Sequence, residues 1–216
     1  MEYTNPWVSI RAEDYDRHMD HENVSQLRML NGIIKSQLKT IPVEMRSQAK
    51  VVIPGITNGN GLEYILPLGI GSVVGIDINS SFLEVCRQRH ATLGDKLALH
   101  RLDLEHELSL VHKVMRDADL VIANLLIEHI HLFQFTEIIR DLPKACRISC
   151  VIQQNPDGLP YTPSNYDHIF KDVLPTIETV DLGRLTRAMA GQGRLLALRE
   201  EYVLPSKKVF IRADYQ

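Results

Sequence analysis

The first feature that could do chemistry is a glycine-rich loop after a short apolar run. The run Val51 to Ile53 is followed by Gly55, Gly59 and Gly61 within seven positions. Glycine adopts left-handed turns without a steric penalty and lets a ligand approach the backbone closely. A helix expected to begin near Gly61 would offer free N–H groups to a carboxylate or phosphate. The loop predicts an anionic ligand, although a tight strand–helix turn would use the same glycines.

Two aspartates follow later apolar runs. Asp77 ends the run 72–76, 22 residues after Gly55, and Asp103 ends the run 97–102. A glycine-rich loop after a strand, with an acid about 20 residues further on, is typical of nucleotide-binding sheets. A carboxylate at Asp77 can accept hydrogen bonds from both hydroxyls of a ribose. The set predicts a nucleoside-containing cofactor, with Asp103 near its base; the alternative is two aspartates that cap tight turns.

A parallel sheet would bring these side chains together. Short apolar runs alternate with helical segments, and this alternation predicts an α/β fold with a doubly wound, Rossmann-like, mostly parallel sheet covered on both faces. Ligands of such sheets bind beyond the carboxyl ends of the strands, where the loop and both aspartates lie. The predicted strands are 50–53, 72–76, 97–102, 119–123 and 146–153, and the predicted helices are about 61–68, 80–92, 107–116 and 132–141.

The two ends of the chain have different patterns. Apolar residues at 24, 27, 30, 33, 34 and 38 recur at helical spacing, after a shorter helical piece at 12–19. The proline-rich stretch 155–164 predicts a loop, with short helices at about 164–174 and 181–190. The runs 195–204 and 207–213 predict an antiparallel hairpin at the edge of the sheet. We therefore divide the chain into a helical N-terminal part, 1–45, and one α/β domain, 46–216.

The composition is that of an ordinary globular protein. Of the 216 residues, 44% are hydrophobic and 24% charged, and the net charge of −3 provides no basic field for nucleic acid. The longest uncharged apolar stretch, 64–76, is interrupted by proline and glycine and is too short to span a bilayer. The first residues lack the apolar core of a secretory signal, and three cysteines without a CxxC pair are typical of reduced core residues.

From these features we expect a cytoplasmic monomer or homodimer with no membrane or nucleic-acid partner. A metal centre is not expected either. His129 and His131 are close in sequence, but their spacing does not suit one helix face and no third ligand is evident.

The stretch Val51 to Phe135 resembles the class I S-adenosylmethionine-dependent methyltransferases. That family has a glycine-rich loop after strand one, an acid ending strand two, an acid after strand three and a short segment after strand four. These features match Gly55–Gly61, Asp77, Asp103 and Asn124. Residues 117–130 (DADLVIANLLIEHI) resemble the fourth-strand motif near the transferred methyl group, and 202–211 (YVLPSKKVFI) is similar to the antiparallel final strands of the family.

The resemblance implies S-adenosylmethionine as the cofactor and S-adenosylhomocysteine as the product. An element like AEDYDRHM, at 12–19, covers the cofactor in small bacterial members, which implies that 1–45 forms a lid and 46–216 the cofactor-binding domain. The cofactor-binding residues that it implies are Tyr15, Gly55, Thr57, Asn58, Gly59, Gly61, Asp77, Ile78, Asp103, Leu104, Asn124 and Leu125.

The chain departs from the family pattern at two positions. Ile53 stands where the family usually has an acid, and Thr57 stands where it usually has glycine. The missing acid normally orders the loop and helps to bind the methionine amino group. Tyr15, His18, Asn124 and Thr57 are candidates to replace it. A β-branched residue at a position that needs a positive φ predicts a somewhat different turn.

The resemblance implies direct displacement of a methyl group onto an acceptor. Catalysis then rests mostly on positioning and desolvation, and a general base is needed only if the acceptor must lose a proton. Glu128 and His129, after strand four, are the candidates for that base. His18, on the N-terminal helix, and Tyr161 and Tyr166, in the loop after strand five, are candidates to bind the acceptor. A small molecule is favoured, with a protein or RNA acceptor left open.

Two other functions are compatible with the sequence. A nucleoside-binding protein without catalytic activity could have kept the same fold. The pattern GxxxGxG at 55–61 also resembles the NAD(P)-dependent short-chain oxidoreductases, which carry a catalytic Tyr-x-x-x-Lys pair. None of the seven tyrosines is followed by lysine four positions later, which favours the methyltransferase interpretation.

Overall fold

One seven-stranded sheet forms the centre of the molecule. The computed structural model describes residues 5–22, 24–155 and 167–216. The strand order is β3–β2–β1–β4–β5–β7–β6; the first five strands run parallel, and β7 runs antiparallel to both β5 and β6. The predicted parallel sheet and C-terminal hairpin are confirmed. The strands are β1 Lys50–Pro54, β2 Ser72–Asp77, β3 Leu97–Arg101, β4 Leu120–Asn124, β5 Arg147–Gln154, β6 Leu196–Val203 and β7 Val209–Tyr215.

Helices cover both faces of this sheet because side chains alternate along each strand. Val51 and Ile53 pack into one core with α2 and α4, whereas Val52 packs into the opposite core with α5, α6 and α7. No helix of the described residues is long and apolar enough to cross a membrane. The helices are α1 Ala12–Met19, α2 Gln26–Lys39, α3 Ile65–Leu68, α4 Ser80–Arg89, α5 Leu108–Met115, α6 Leu132–Ile139 and α7 Leu182–Gly191.

Two predicted helices differ from the structure. The segment 61–68 is a 3₁₀ turn, Leu62–Tyr64, followed by the single α-turn of α3. The segment predicted at 164–174 forms only the 3₁₀ turns Asp167–Phe170 and Leu174–Thr176, and 164–166 lie outside the described residues.

Two asparagines hold the N-terminal segment, residues 5–22, against the loops that follow β1 and β2. The Asn79 amide donates to the backbone carbonyls of Trp7 and Ile10 at 2.8 and 2.7 Å, and its oxygen caps the N-terminus of α4. The Asn58 amide donates to the Ala12 carbonyl at 3.0 Å and to Asp16 at 2.8 Å. Side chains of the sheet loops thus fix the position of α1 over the carboxyl edge of the sheet.

The substitution Asn79→Asp tests this attachment. It keeps an oxygen to cap α4 but places a carboxylate against two carbonyl oxygens. Two lost hydrogen bonds, each of about 1 kcal/mol, would raise the detached fraction of the segment roughly tenfold or more. We expect limited trypsin digestion to cleave faster after Arg11 and Arg17, while cleavage after the remote, exposed Arg116 keeps its rate. Cleavage of the variant after Arg11 and Arg17 at the same rates as in the wild type would contradict the attachment.

Candidate active site

A cavity lies beyond the carboxyl ends of β1, β2 and β4, between the sheet loops and the N-terminal segment. It lies where the strand order reverses, which is the place expected for a ligand. Asn58, Gly59, Gly61 and Glu128 are not part of its lining, and Tyr161 and Tyr166 lie outside the described residues. The predicted site residues that line it are Tyr15, His18, Gly55, Thr57, Asp77, Ile78, Asp103, Leu104, Asn124, Leu125 and His129.

The loop after β1 is held in an unusual turn. Gly55 has a φ of 70°, and a Cβ there would lie 3.0 Å from the Leu126 side chain. Thr57 has a φ of 49°, which is the altered turn that the sequence predicts. Its backbone N–H donates to Asp77 at 2.9 Å, and this hydrogen bond supports a conformation that costs a β-branched residue free energy.

The two later glycines serve packing instead of ligand approach. A Cβ at Gly59 would lie 2.7 Å from the Cys86 sulfur, and a Cβ at Gly61 would lie 2.6 Å from the Ile34 side chain. The prediction of an anion-binding helix N-terminus near Gly61 is wrong, because N–H groups of the 3₁₀ turn donate to backbone carbonyls of the loop itself. Leu62 donates to the Gly59 carbonyl, and Tyr64 donates to the Gly61 carbonyl.

Asp77 joins the first two loops. One carboxylate oxygen accepts the N–H of Thr57 and the other accepts the N–H of Asn79, both at 2.9 Å. The residue is only 7% exposed, and burial raises the pKa of its carboxyl to about 6. A carboxylate has about four lone-pair sites, so each oxygen can accept a further hydrogen bond from a ligand in the cavity.

Asp103 is engaged in its own loop. Its carboxylate accepts the N–H of Glu105 at 2.8 Å and contacts the His106 ring at 3.0 Å, which raises the pKa of that imidazole. The Asp103 N–H donates to Glu107 at 2.8 Å. Asp103 and Leu104 line the end of the cavity that lies beyond β3.

Aromatic side chains of the N-terminal segment form one wall of the cavity. The Tyr15 phenol lies beside the Thr57 side chain, and burial raises the pKa of Tyr15. The Trp7 ring lies edge-on to His129 at 4.8 Å, and the His18 ring lies 4.7 Å from Phe170. These rings exclude water from one side of the space above β4.

Ile53 stands where the family usually has an acid, and the polar side chains near it come from other elements. Ile53 itself faces the cavity. The amide of Asn124 is committed to a reciprocal pair with Gln37, at 2.8 and 2.9 Å, which removes it as a simple substitute. Gln26 lines the cavity, is 5% exposed, and has no hydrogen-bond partner for its side chain among the described residues. Its amide is therefore available to a polar ligand group.

A buried polar chain holds the end of β4. Gln37, in the last turn of α2, donates to Asn124 and also to the Ser149 hydroxyl at 2.8 Å. Ser149 hydrogen-bonds with Asp214, which in turn binds the buried Arg212. Leu125 follows in a left-handed conformation with a φ of 52°, and its N–H donates to the Val151 carbonyl at 2.8 Å. The backbone that turns past the cavity is thus fixed from behind.

The two predicted bases lie in different places. The segment after β4 forms a single 3₁₀ turn, Ile127–His129, and of the two predicted bases only His129 lines the cavity. Burial lowers the pKa of His129 to about 4, so the ring is neutral at physiological pH and is a weak base. Glu128 points into the protein, where it accepts the Gln153 N–H at 2.8 Å, and burial raises its pKa to about 7.

Sequence reasoning missed several lining residues, because pattern does not reveal which side chains of distant elements converge. Gln153 and Lys208 belong to the predicted strand five and hairpin, and the predicted topology could have placed both at this edge. Nothing in the local sequence of the 3₁₀ turns after 166 marks a cavity wall. The missed residues that matter most here are Gln26, Phe82, Gln153, Phe170, Val173, Ile177 and Lys208.

Solved structures provide the comparison that bears on this site. Magnesium protoporphyrin IX methyltransferase from Synechocystis PCC 6803, with bound S-adenosylmethionine, superposes with a TM-score of 0.66 at 11% identity, over 94% of this chain and 89% of that one. A putative sarcosine dimethylglycine methyltransferase from Galdieria sulphuraria gives 0.65 at 13% identity, over 88% and 85%. The chain has the class I methyltransferase fold. The resemblance predicted from the sequence is therefore confirmed at the level of the fold.

Another similar structure belongs to a protein that is named for a very different acceptor. A ribosomal protein L11 methylase from Lactobacillus delbrueckii subsp. bulgaricus gives a TM-score of 0.56 at 19% identity, over 89% of this chain and 77% of that one. No protein-family model and no curated protein matches the chain. The class I methyltransferase fold therefore does not identify the acceptor.

The substitution Gly59→Ala tests the packing role of the second loop glycine. The new methyl group would collide with Cys86 and His90, at a φ of 81° that alanine rarely adopts. We expect a loss of roughly 1–3 kcal/mol in the free energy of unfolding, measured by urea denaturation. Gly32→Ala, in an open position on α2, is the control and should be neutral or slightly stabilising. An unchanged stability of Gly59→Ala would contradict the packing role.

Proposed function

We propose that the chain is an S-adenosylmethionine-dependent methyltransferase that transfers a methyl group to a small-molecule acceptor by direct displacement. The observation that carries this proposal is the Asp77 carboxylate at the end of β2. It lines the cavity, and each of its oxygens binds one backbone N–H and retains lone pairs for a ribose hydroxyl. The class I fold around it supports the same cofactor.

The residues of the cavity fit this cofactor in two groups. Asp77, Ile78, Asp103 and Leu104 would hold the adenosine, since they lie beyond β2 and β3. The methionine end would lie along the loop after β1. There Gly55, Thr57 and Leu125 line the cavity, and Gln26, whose side chain has no hydrogen-bond partner among the described residues, supplies a polar group. Asn124 lines the cavity as well, with its amide paired to Gln37.

When bound, S-adenosylmethionine supplies a methyl group already activated by a sulfonium centre. The protein then has to orient the acceptor and exclude water. Trp7, Tyr15 and His18 of the N-terminal segment line the cavity above β4. Their position supports the proposal that residues 1–45 form a lid. His129, neutral and facing the cavity, can accept a proton from an acceptor that must lose one, whereas Glu128 would act by positioning Gln153.

A small-molecule acceptor is supported by the placement of the arginines. Arg194 is buried and donates to four backbone carbonyls, and Arg184 pairs with Glu178 at 2.7 Å. The arginine-rich stretch 184–199 therefore does not offer its charge as one open face to a nucleic acid. A cytoplasmic location and a monomeric or homodimeric state stay predictions.

Fluorescence of Trp7, the single tryptophan, tests the cofactor. We expect S-adenosylhomocysteine to change its emission with saturation, because the indole lines the cavity. Asp77→Ala should weaken this binding by roughly 1–3 kcal/mol, since it removes a charged partner of the ribose. Asp117→Ala, at an exposed site, is the control. Equal affinity of Asp77→Ala and the wild type would contradict the placement of the adenosine.

The affinity for S-adenosylhomocysteine should depend on pH. Ribose hydroxyls donate to the ionised Asp77, whose pKa is about 6. Binding then favours the ionised form, so affinity should be highest well above pH 6 and fall as the pH drops through this value. Fluorescence titrations between pH 5 and pH 8 measure the slope. Asp77→Ala should remove the slope, and a slope that persists in this variant would assign it to another group.

A further inference from the structure

The cavity continues past the proposed cofactor region towards β5 and β7. Gln153 and Lys208 line this end. Gln154 pairs with Val209 in the antiparallel ladder, so Lys208 lies at the carboxyl edge of β5. Neighbouring strands are about 4.8 Å apart, which separates Lys208 from Asp77, four strands away, by roughly 19 Å across the sheet. The same cavity therefore has a nucleoside end and a distant, cationic end.

Lys208 is an unusual lysine. Its side chain is only 4% exposed, whereas its neighbour Lys207 is exposed in the same turn. Among the described residues, its ammonium has one hydrogen bond, a long one of 3.4 Å to the Gln153 side chain, and no ion pair. The Glu128 carboxyl acts on this ammonium electrostatically but forms no ion pair with it. One Glu128 oxygen accepts the Gln153 N–H of β5, and the other has no hydrogen-bond partner among the described residues. A buried ammonium that no carboxylate contacts directly is costly, and such groups concentrate at functional sites.

The ammonium keeps its charge near neutral pH. Burial lowers the pKa of Lys208 to about 8, while Glu128 raises it, so most molecules carry the proton at pH 7. An anion that enters this part of the cavity would meet a desolvated positive charge, and charge-assisted hydrogen bonds are stronger in such surroundings.

Apolar side chains that follow residue 166 line the same cavity, and next to them the Glu178 N–H donates to the Glu128 carbonyl, after β4, at 2.7 Å. Phe170, Val173, Leu174 and Ile177 line the cavity from the C-terminal 3₁₀ turns. Two strand positions separate β4 from β7, which is about 10 Å. A ligand that reaches from the space above β4 to Lys208 therefore needs a hydrocarbon body, because a polar body would lose its hydration against these walls.

We propose that the acceptor of this enzyme is a small carboxylic acid with an apolar body, whose carboxylate binds the Lys208 ammonium beside Gln153 at the β5–β7 end of the cavity. Its other end would present, above β4, the nucleophilic atom that gains the methyl group as the bond from that methyl group to the sulfonium sulfur breaks. The inference rests on the proposed methyltransferase function and adds the class of its substrate. Lys208 sets specificity in this arrangement: it selects an anionic end group, and the apolar wall selects the body that follows it.

Calorimetry on the full chain saturated with S-adenosylhomocysteine tests the inference. The probes are 3-phenylpropanoate, octanoate and decanoate at pH 7, each beside its uncharged amide. We expect the best acid to bind about tenfold or more tightly than its amide, since an unpaired buried charge gains a partner. Lys208→Met should abolish this preference, as should Lys208→Gln, which keeps polarity but not charge. Lys207→Met, the matched control, should keep it.

The outcomes separate this inference from the proposed function. The inference predicts equal affinity of the wild type and the Lys208 variants for S-adenosylhomocysteine. Weaker cofactor binding in those variants would assign the ammonium to the methionine carboxylate and overturn the inference. Acids that bind no more tightly than their amides, or a preference that survives in Lys208→Met, would also overturn it. If S-adenosylhomocysteine binds neither the wild type nor any variant, the proposed function itself is contradicted, and this inference with it.

Discussion

The buried carboxylate of Asp77 is the constraint on which the cavity depends. It binds the backbone N–H groups of Thr57 and Asn79 and so joins the loops after β1 and β2. The Asn79 amide then holds the backbone of the N-terminal segment, and Tyr15 reaches the Thr57 side chain. Neutral donors alone offset the desolvation only in part, which is why the pKa rises to about 6. The Asp77 oxygens can therefore still accept hydrogen bonds from the hydroxyls of a ligand.

Local strain accompanies this arrangement. Thr57 and Leu125, which follow β1 and β4, both have left-handed backbone conformations and both line the cavity. Such conformations persist only where surrounding contacts enforce them. Asp77 holds the first, and the chain of hydrogen bonds through Gln37 supports the strand end next to the second. The altered turn at Thr57 is thus held by a contact from the second loop, and the end of β4 is held by contacts from α2.

Much of the fold and part of the site could be predicted from the sequence, because both depend on local patterns. Strand–helix alternation places Asp77 at a strand end, and the β-branched side chain of Thr57 signals an altered turn. The roles of Gly59 and Gly61 could not be read locally, since the side chains that crowd them come from α4 and α2. The same limit applies to Lys208, whose burial depends on the pairing of β7 with β5. The direction of Glu128 could not be predicted either. The segment after β4 forms only the short 3₁₀ turn Ile127–His129, which directs the Glu128 side chain away from the cavity, and local helix propensity does not predict where such a turn ends.

The most direct test of the central claim, that this cavity holds an S-adenosyl nucleoside, is isothermal titration calorimetry of the purified chain with S-adenosylhomocysteine, with NADPH titrated in parallel. We predict a single site with micromolar affinity for S-adenosylhomocysteine and no heat of binding for NADPH. Binding of NADPH alone, or of neither molecule, would contradict the claim.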